Sequence, residues 1–266
     1  MYKIRFLIFG CFLILMSIKV IAQTTDSTKK SNNIIELEQE CKLVLNANID
    51  LADRLTLEII QEIRDVMSKI QMLIPADSIN IDLEITDYVI PIWGVAGVAK
   101  DDYNIWFGYN PQNENFTVDY ILRGLTHEIH HVVCGRRPQQ RVFSLLEQMI
   151  HEGLADHFMV EILGCEPPPW CVALTEQDIH RYLVQINPES RIEMESFDEF
   201  IEKYYQPWFF GTEGENQIVM WTGYSLSWYI VENYLREHPE ESSSSLIWVN
   251  ADTVVNSIPE LKMNTN

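Results

Sequence analysis

Residues 117–135 contain the feature that most constrains the fold of this chain, a helical repeat that includes the pattern His-Glu-x-x-His. Apolar side chains recur there at steps of three and four residues, which predicts one long helix. Thr117 is a suitable N-cap, and Gly135 is a suitable stop. Residues four apart on a helix lie on one face, so His127 and His131 are placed to bind a single metal ion. The repeat therefore predicts a helix that carries two ligands of a metal site.

Glu128 follows the first of these histidines, in the position where a carboxylate would face the open side of a bound ion. Zinc acidifies a water molecule that it binds, and a neighbouring carboxylate can then accept a proton while hydroxide attacks a peptide carbonyl. The arrangement predicts Glu128 as the general base of a zinc hydrolase.

A second helix is predicted at residues 143–163, because apolar residues recur at helical steps and both ends carry recognisable signals. Ser144 and Glu147 form a capping box at its start, and Gly164 ends it. The helix follows the first one closely enough to fold back across it. It is therefore the expected source of a third ligand.

Within this second helix, Glu152 and Asp156 are one turn apart on the same face. We predict Glu152 as the third zinc ligand. A ligating histidine usually donates its second ring hydrogen to a carboxylate, and we predict Asp156 in that role. His151 and His157 stay open as alternatives to Glu152. The other alternative is that Glu152 and Asp156 are ordinary acidic residues on the solvated face of an amphipathic helix.

A metallopeptidase also needs a donor for the oxyanion of its tetrahedral intermediate. We predict Tyr224, which stands at the start of an apolar run, residues 223–231, that favours a helix. A buried tyrosine with a purely structural role is the alternative, and His180 is the second candidate donor.

The chain from about residue 94 to about residue 259 resembles the family of predicted zinc-dependent proteases described as a domain of unknown function. The match is carried by Thr-His-Glu-Ile-His-His at residues 126–131, by Glu-Gly-Leu-Ala at residues 152–155, and by Gly-Tyr at residues 223–224. The ligand pattern is also similar to that of gluzincins, the thermolysin-like peptidases in which a glutamate on a second helix completes the zinc site. The resemblance implies an α+β, mainly helical zincin fold with a small antiparallel or mixed sheet over the active-site helix.

Strands are expected before the first metal helix. Apolar and polar residues alternate over residues 79–85, and shorter candidates at residues 94–99 and 103–109 predict a hairpin. In zincins an extended substrate pairs with the sheet edge beside the active site, so Asn104–Tyr109 is a candidate substrate wall. A structural hairpin is the alternative. Residues 51–73 predict a long amphipathic helix.

The amino terminus predicts export. Residues 1–22 have a basic start and an apolar core that is too short to span a bilayer, and they end in a small-residue cleavage site after Ala22. Phe9 and the continuing apolar run argue against lipidation at Cys11. We expect a signal peptide at residues 1–22, a polar leader and N-terminal segment at residues 23–50, and a catalytic domain at residues 51–266, with no stable membrane span after cleavage.

Charge and cysteine content restrict the partners and the chemistry further. The 39 acidic residues outnumber the 19 basic ones and give a formal net charge of −20, so a nucleic-acid partner is not expected. Four cysteines remain after signal removal, and Cys165 and Cys171 enclose a proline-rich loop that a disulfide could close. Buried reduced thiols are the alternative. The spacing disfavours a cysteine zinc site.

The sequence thus predicts an exported zinc metallopeptidase that acts on a peptide or protein substrate. Two other classes stay open. One is a catalytically inactive zincin-like binding protein, and the other is an exported structural protein in which zinc only braces the fold. The sequence gives no prediction of the oligomeric state.

Overall fold

The computed structural model describes residues 32–137, 143–214, 217–255 and 258–261, so the predicted signal peptide and Cys11 lie outside the described residues. The chain divides into two compact units, Met1–Val133 and Cys134–Asn266. The predicted division at residues 22 and 50 stays a prediction. Within the described residues, no helix combines the length and the apolar character that crossing a membrane requires.

The first unit is built on a five-stranded mixed sheet in the order β1-β2-β3-β5-β4. Its strands are β1 (Asn33–Glu36), β2 (Lys42–Leu45), β3 (Asn80–Ile85), β4 (Val95–Ala99) and β5 (Asn104–Tyr109). The two inner pairs are parallel, and the two outer pairs are antiparallel. The three predicted strands are confirmed, whereas β1 and β2 were not predicted. With the helices below, the sheet confirms the α+β class.

One face of this sheet forms a core because every second side chain of a strand lies on that face, and the buried side chains of neighbouring strands are paired. Ile81 is paired with Ile105 and Leu83 with Phe107, and all four side chains are buried. The helix α1 (Arg54–Gln71) begins at the N-cap Asp53 and connects the parallel strands β2 and β3, which need a crossover of this kind. It confirms the amphipathic helix predicted at residues 51–73.

The helix α2 (Val118–Gly135) is the one that carries the His-Glu-x-x-His pattern, and its Gly124 meets Phe107 of β5. A Cβ atom added to Gly124 would lie 2.8 Å from the Phe107 ring. The absence of a side chain at Gly124 therefore lets the helix backbone approach the strand closely. The next turn of α2 carries Glu128, which bonds to the backbone of Ala99 on β4.

The order of the strands corrects one prediction. Asn104–Tyr109 was the candidate substrate wall, but β5 lies inside the sheet between β3 and β4. Its backbone groups pair on both sides, so it has no free edge for a substrate. The reason is that β5 pairs in parallel with β3, while β4 returns antiparallel on the outside. The strand at this edge of the sheet is β4.

The second unit is helical in the residues that the structure describes. Its elements are α3 (Leu145–Leu163), α4 (Glu176–Ile186), α5 (Phe197–Phe200), a π-helix (Ile201–Phe210), α6 (Thr222–Glu237), α7 (Ala251–Val255) and a 3₁₀ turn (Pro259–Leu261). The predicted ends of α3 are confirmed. Ser144 is its N-cap and accepts the backbone N–H of Glu147 at 3.2 Å, and Gly164 ends it with a φ of 61°.

Helices α3 and α6 cross closely at Gly153 and form the centre of this unit. A Cβ atom at Gly153 would collide with the backbone carbonyl of Ser227. One turn further along α3, the His157 ring stacks on Trp228 with ring centroids 3.6 Å apart. This crossing fixes α3 against α6 at the turn that carries Glu152.

We expect Gly153→Ala to destabilise the protein by about 1–3 kcal/mol, because the new methyl group must separate two packed helices. Chemical denaturation followed by circular dichroism would measure the change in the free energy of unfolding. Ala155→Gly on the same helix is the control for altered helix propensity. An unchanged unfolding free energy in Gly153→Ala would contradict the close crossing.

Candidate metal centre

Helix α2 places the two predicted histidine ligands on one face. The Nε2 atoms of His127 and His131 are 2.8 Å apart, and their rings are perpendicular with centroids 4.4 Å apart. Each ring thus directs its own Nε2 atom towards the other. Two imidazole nitrogens this close require a shared proton or a cation beside them, since two lone pairs facing each other would repel.

The carboxylate of Glu128 is held by the edge strand β4. Its Oε2 atom accepts the backbone N–H of Ala99 at 2.8 Å. A Cβ atom added to Gly97 would lie 2.8 Å from both the Cγ of Glu128 and the Phe107 ring. Glycine at position 97 therefore leaves the space that Glu128 occupies, and the strand fixes one oxygen of the carboxylate.

Glu152 lies on α3 with only 3% of its surface exposed. A buried carboxylate is unfavourable unless it is paired, and the Nε2 of Gln148 donates to its Oε1 at 2.6 Å. Gln148 precedes Glu152 by one turn, so the bond lies along the helix surface. The glutamine amide fixes the orientation of the carboxylate.

Among the residues that the structure describes, one group of three side chains could hold a metal ion: His127, His131 and Glu152. One ligand atom from each residue lies within 4.8 Å of the other two. This is the ligand set predicted from the sequence. His151 and His157, the alternatives to Glu152, do not belong to the group.

Asp156 is fully buried and accepts hydrogen bonds from two residues of the loop that follows α3. Trp170 donates through its indole N–H at 3.1 Å, and the Sγ of Cys171 lies 3.1 Å from the same carboxylate oxygen. Burial, reinforced by the carboxylates of Asp156 and Glu152, raises the pKa of Cys171 well above its ordinary value, so the thiol keeps its proton. The predicted bond from Asp156 to a ligating histidine stays a prediction.

Among the cysteines that remain after the predicted signal peptide, Cys171 is a free thiol. The disulfide that could have joined Cys165 to Cys171 is therefore not formed. Cys171 is buried and acts as a hydrogen-bond donor to Asp156 instead.

Other histidines have different surroundings. His157 faces α6, where its Nε2 lies 3.2 Å from the carbonyl oxygen of Trp228, and burial lowers its pKa. His130, which lies between the two predicted histidine ligands on α2, is fully buried. His180, the second candidate donor to an oxyanion, is bonded through its Nδ1 to Glu260 at 2.6 Å.

Tyr224 lies in the first turn of α6, and its hydroxyl is 3.4 Å from that of Tyr205. Its pKa is raised well above the ordinary value by burial, by Tyr205, and by the carboxylates of Glu152 and Asp156. The phenol therefore stays protonated at neutral pH and is a hydrogen-bond donor. Glu152, the proposed third ligand, is thus close enough to Tyr224 to contribute to this rise in pKa.

Sequence reasoning missed four contributors to this region: Gly97, Ala99, Gln148 and Tyr205. Gln148 could have been found, because a polar side chain one turn before a predicted ligand can bond to it. Ala99 acts through its backbone N–H, so its residue type carries no signal. Gly97 and Tyr205 acquire their roles only through the packing of distant segments.

Comparison with known proteins identifies the family. No curated protein matches the chain. A family model described as predicted Zn-dependent protease (DUF2268) matches residues 56–256, which is most of the chain and includes every predicted site residue. The protein therefore belongs to this family of predicted Zn-dependent proteases.

Proposed function

We propose that this protein is a zinc metallopeptidase that binds one zinc ion through His127, His131 and Glu152 and uses Glu128 as its general base. The observation that carries the proposal is the convergence of three suitable ligand atoms within 4.8 Å. The family match to predicted Zn-dependent proteases supports it. A structural zinc site would have no need of a carboxylate beside the ligands, and such sites are usually closed by four protein ligands.

The three side chains fit a zinc ion by their chemistry and spacing. Two imidazole nitrogens with one carboxylate oxygen are a donor set of catalytic zinc sites, in which a fourth position stays open. Zinc–ligand bonds of about 2.0–2.1 Å in a tetrahedral site place ligand atoms about 3.4 Å apart. The 2.8 Å between the histidine nitrogens and the 4.8 Å limit for the group lie on either side of that value. A bound zinc ion would supply Lewis-acid chemistry, which acidifies water and polarises a carbonyl.

Glu128 has the geometry of a general base. Its Oε2 is held by the Ala99 N–H at 2.8 Å, so the carboxylate cannot swing away from the strand. The other oxygen would accept a proton from the attacking water and later deliver it to the departing amine. Tyr224, which keeps its proton because its pKa is raised, would donate to the oxyanion of the tetrahedral intermediate.

The edge of β4 is the proposed substrate wall. Lys100 donates its N–H to the carbonyl of Asn104 on β5, and backbone groups alternate in direction along an antiparallel strand. The backbone groups of Gly97 and Ala99 therefore point away from β5. The bond from Ala99 to Glu128 runs in that direction. An extended peptide or protein segment would pair with the backbone of Gly97 and the carbonyl of Ala99, since the Ala99 N–H is bonded to Glu128, and would lie beside the base.

Export is part of the proposal and rests on the basic start and apolar core of residues 1–22. An exported peptidase acts on proteins or peptides outside the cytoplasm. Sequencing the amino terminus of the protein recovered from its host would test this. Cleavage after Ala22 is expected, and a retained Met1 would contradict export.

The proposed activity is tested by incubating the purified protein, with and without one equivalent of zinc, with a mixed peptide library and identifying products by mass spectrometry. Zinc-dependent cleavage is the expected result. A protein that binds zinc and leaves every peptide intact would be a binding or structural protein, which contradicts the proposal.

We expect Gly97→Ala to lower kcat by about tenfold or more while zinc stays bound. The added methyl group would lie 2.8 Å from the Cγ of Glu128, so the carboxylate must shift away from its position on the strand, and small displacements of a catalytic group are costly. Val98→Ala changes the opposite face of the same strand and is the matched control. Equal kcat values for Gly97→Ala and the unmodified protein would show that the strand does not position Glu128.

A further inference from the structure

We propose that Tyr205 is a positioning residue of this active site, because its hydroxyl orients the hydroxyl of Tyr224. The inference rests on the proposed function and adds a residue to it. The two phenol oxygens are 3.4 Å apart. Tyr205 belongs to the π-helix, whereas Tyr224 belongs to α6, so the pair joins two separate elements of the second unit.

A phenol has one hydroxyl hydrogen. The direction of this hydrogen decides whether Tyr224 can donate to a substrate. If Tyr205 donates to the oxygen of Tyr224, the hydrogen of Tyr224 stays available for an oxyanion. A hydroxyl that accepts one hydrogen bond also becomes a stronger donor in the next, because the two bonds polarise each other. Tyr205 would therefore both orient and strengthen the donor without touching the substrate.

The rings of Tyr205 and Tyr224 both pack against the ring of Phe209. Tyr205 stacks on Phe209 with centroids 4.7 Å apart and planes 26° apart. Phe209 meets the Tyr224 ring edge to face at 4.9 Å. Gly223 makes room for this contact, since a Cβ atom there would lie 2.8 Å from the Phe209 ring. Each ring thus limits the movement of the next, and both hydroxyls are held at one end of the stack.

The backbone around the stack is unusual in two places. Tyr205 and Phe209 lie in a ten-residue π-helix, a rare conformation that occurs frequently at functional sites. Trp221, immediately before α6, has a φ of 70°, which is strained for a bulky residue, and its N–H donates to the carbonyl of Phe209 at 3.1 Å. The strained residue ties the π-helix to the turn that carries Tyr224.

The proposal predicts a specific kinetic pattern in the full-length, zinc-loaded protein. Tyr205→Phe keeps the ring stack and removes one hydroxyl, so kcat should fall by about three- to tenfold with KM and zinc content unchanged. Adding Tyr205→Phe to Tyr224→Phe should cause no further loss, because Tyr205 acts only through Tyr224. Tyr204→Phe is the matched control. Tyr204 is the preceding residue of the same helix, and its buried hydroxyl meets no hydrogen-bond partner among the described residues.

A second readout does not depend on activity. In protein labelled with ¹³C at the ζ carbon of tyrosine, the Tyr224 signal is assigned by its loss in Tyr224→Phe. That signal should move in Tyr205→Phe and stay in place in Tyr204→Phe. An unmoved signal in Tyr205→Phe would overturn the hydrogen bond, and with it the proposal.

The kinetic constants and the NMR signal together distinguish a positioning role of Tyr205 from a purely structural one. A moved signal with an unchanged kcat, or losses that multiply in the double variant, would overturn the positioning role and leave a structural pair. An unmodified protein that hydrolyses no peptide would overturn the proposed function and the role of Tyr205 with it. In that case the NMR signal still reports whether the tyrosine pair exists, so the two failures are told apart.

Discussion

Glu128→Gln should lower kcat by about 10²–10⁴-fold, because that range is the usual contribution of a general base. Glutamine has nearly the shape of glutamate, and its amide oxygen can still accept the backbone N–H of Ala99, which bonds the carboxylate at 2.8 Å. The side chain should therefore stay in place and lose only its ability to take a proton. Zinc content, KM and the unfolding free energy should change little.

The measurement is the initial rate of cleavage of one peptide identified from the library, with zinc determined on the same samples. Glu114→Gln is the control, since Glu114 is an exposed acidic residue in the turn before α2. Full activity in Glu128→Gln would show that another group is the base. A large loss of zinc in this variant would show that Glu128 is a ligand and would remove it from the proton-transfer role.

The second large effect concerns the metal itself. Glu152→Gln should lower zinc affinity by more than about 100-fold, since changes to residues that only support ligands already cost about 10–100-fold. Gln148, which donates to the Glu152 carboxylate at 2.6 Å, can still donate to the new amide oxygen, so the fold around the site should persist. The variant thus removes the charge of the ligand and retains its shape.

Elemental analysis after dialysis against a weak chelator would give about one zinc per chain for the unmodified protein and little for Glu152→Gln. Glu193→Gln, at an exposed position outside the helices, is the control. Zinc retained by Glu152→Gln would move the third ligand to another residue, and His151, its neighbour on α3, would be the first to test.

The sequence predicts four helices of this protein, α1, α2, α3 and α6, because their signals are local, whereas α4, α5 and α7 were not predicted. Periodic apolar residues and caps define α2 and α3, and Ser144 and Gly164 begin and end α3 as expected. The same local reasoning predicts the group that could hold a metal ion, His127, His131 and Glu152, because two histidines at helical spacing, followed by a glutamate on the next helix, are typical of a zinc site.

The missed strands depend on long-range packing. Strands β1 and β2 have four residues each, and what stabilises them is pairing with one another and with β3, which lies more than thirty residues further along the chain. The same dependence explains why β5 was taken for the edge of the sheet. Hairpin spacing predicts that β4 and β5 pair, but only the parallel pairing of β5 with β3 decides which of them lies outside.

The π-helix was missed for a related reason. Its sequence is rich in aromatic residues and contains Pro207, which lacks a backbone N–H and disfavours a regular helix. No local pattern distinguishes it from a loop, so the meeting of Tyr205 with Tyr224 was not foreseeable. Tyr224 itself was identified from the sequence, although its role as an oxyanion donor stays a prediction.

The most direct test of the proposed metal centre is a crystal structure of the zinc-loaded protein with anomalous diffraction data collected on both sides of the zinc absorption edge. We predict one zinc peak per chain, within about 2.0–2.2 Å of the Nε2 atoms of His127 and His131 and of a carboxylate oxygen of Glu152. A zinc peak bound by other residues, or no peak in protein crystallised with excess zinc, would contradict the proposed metal centre.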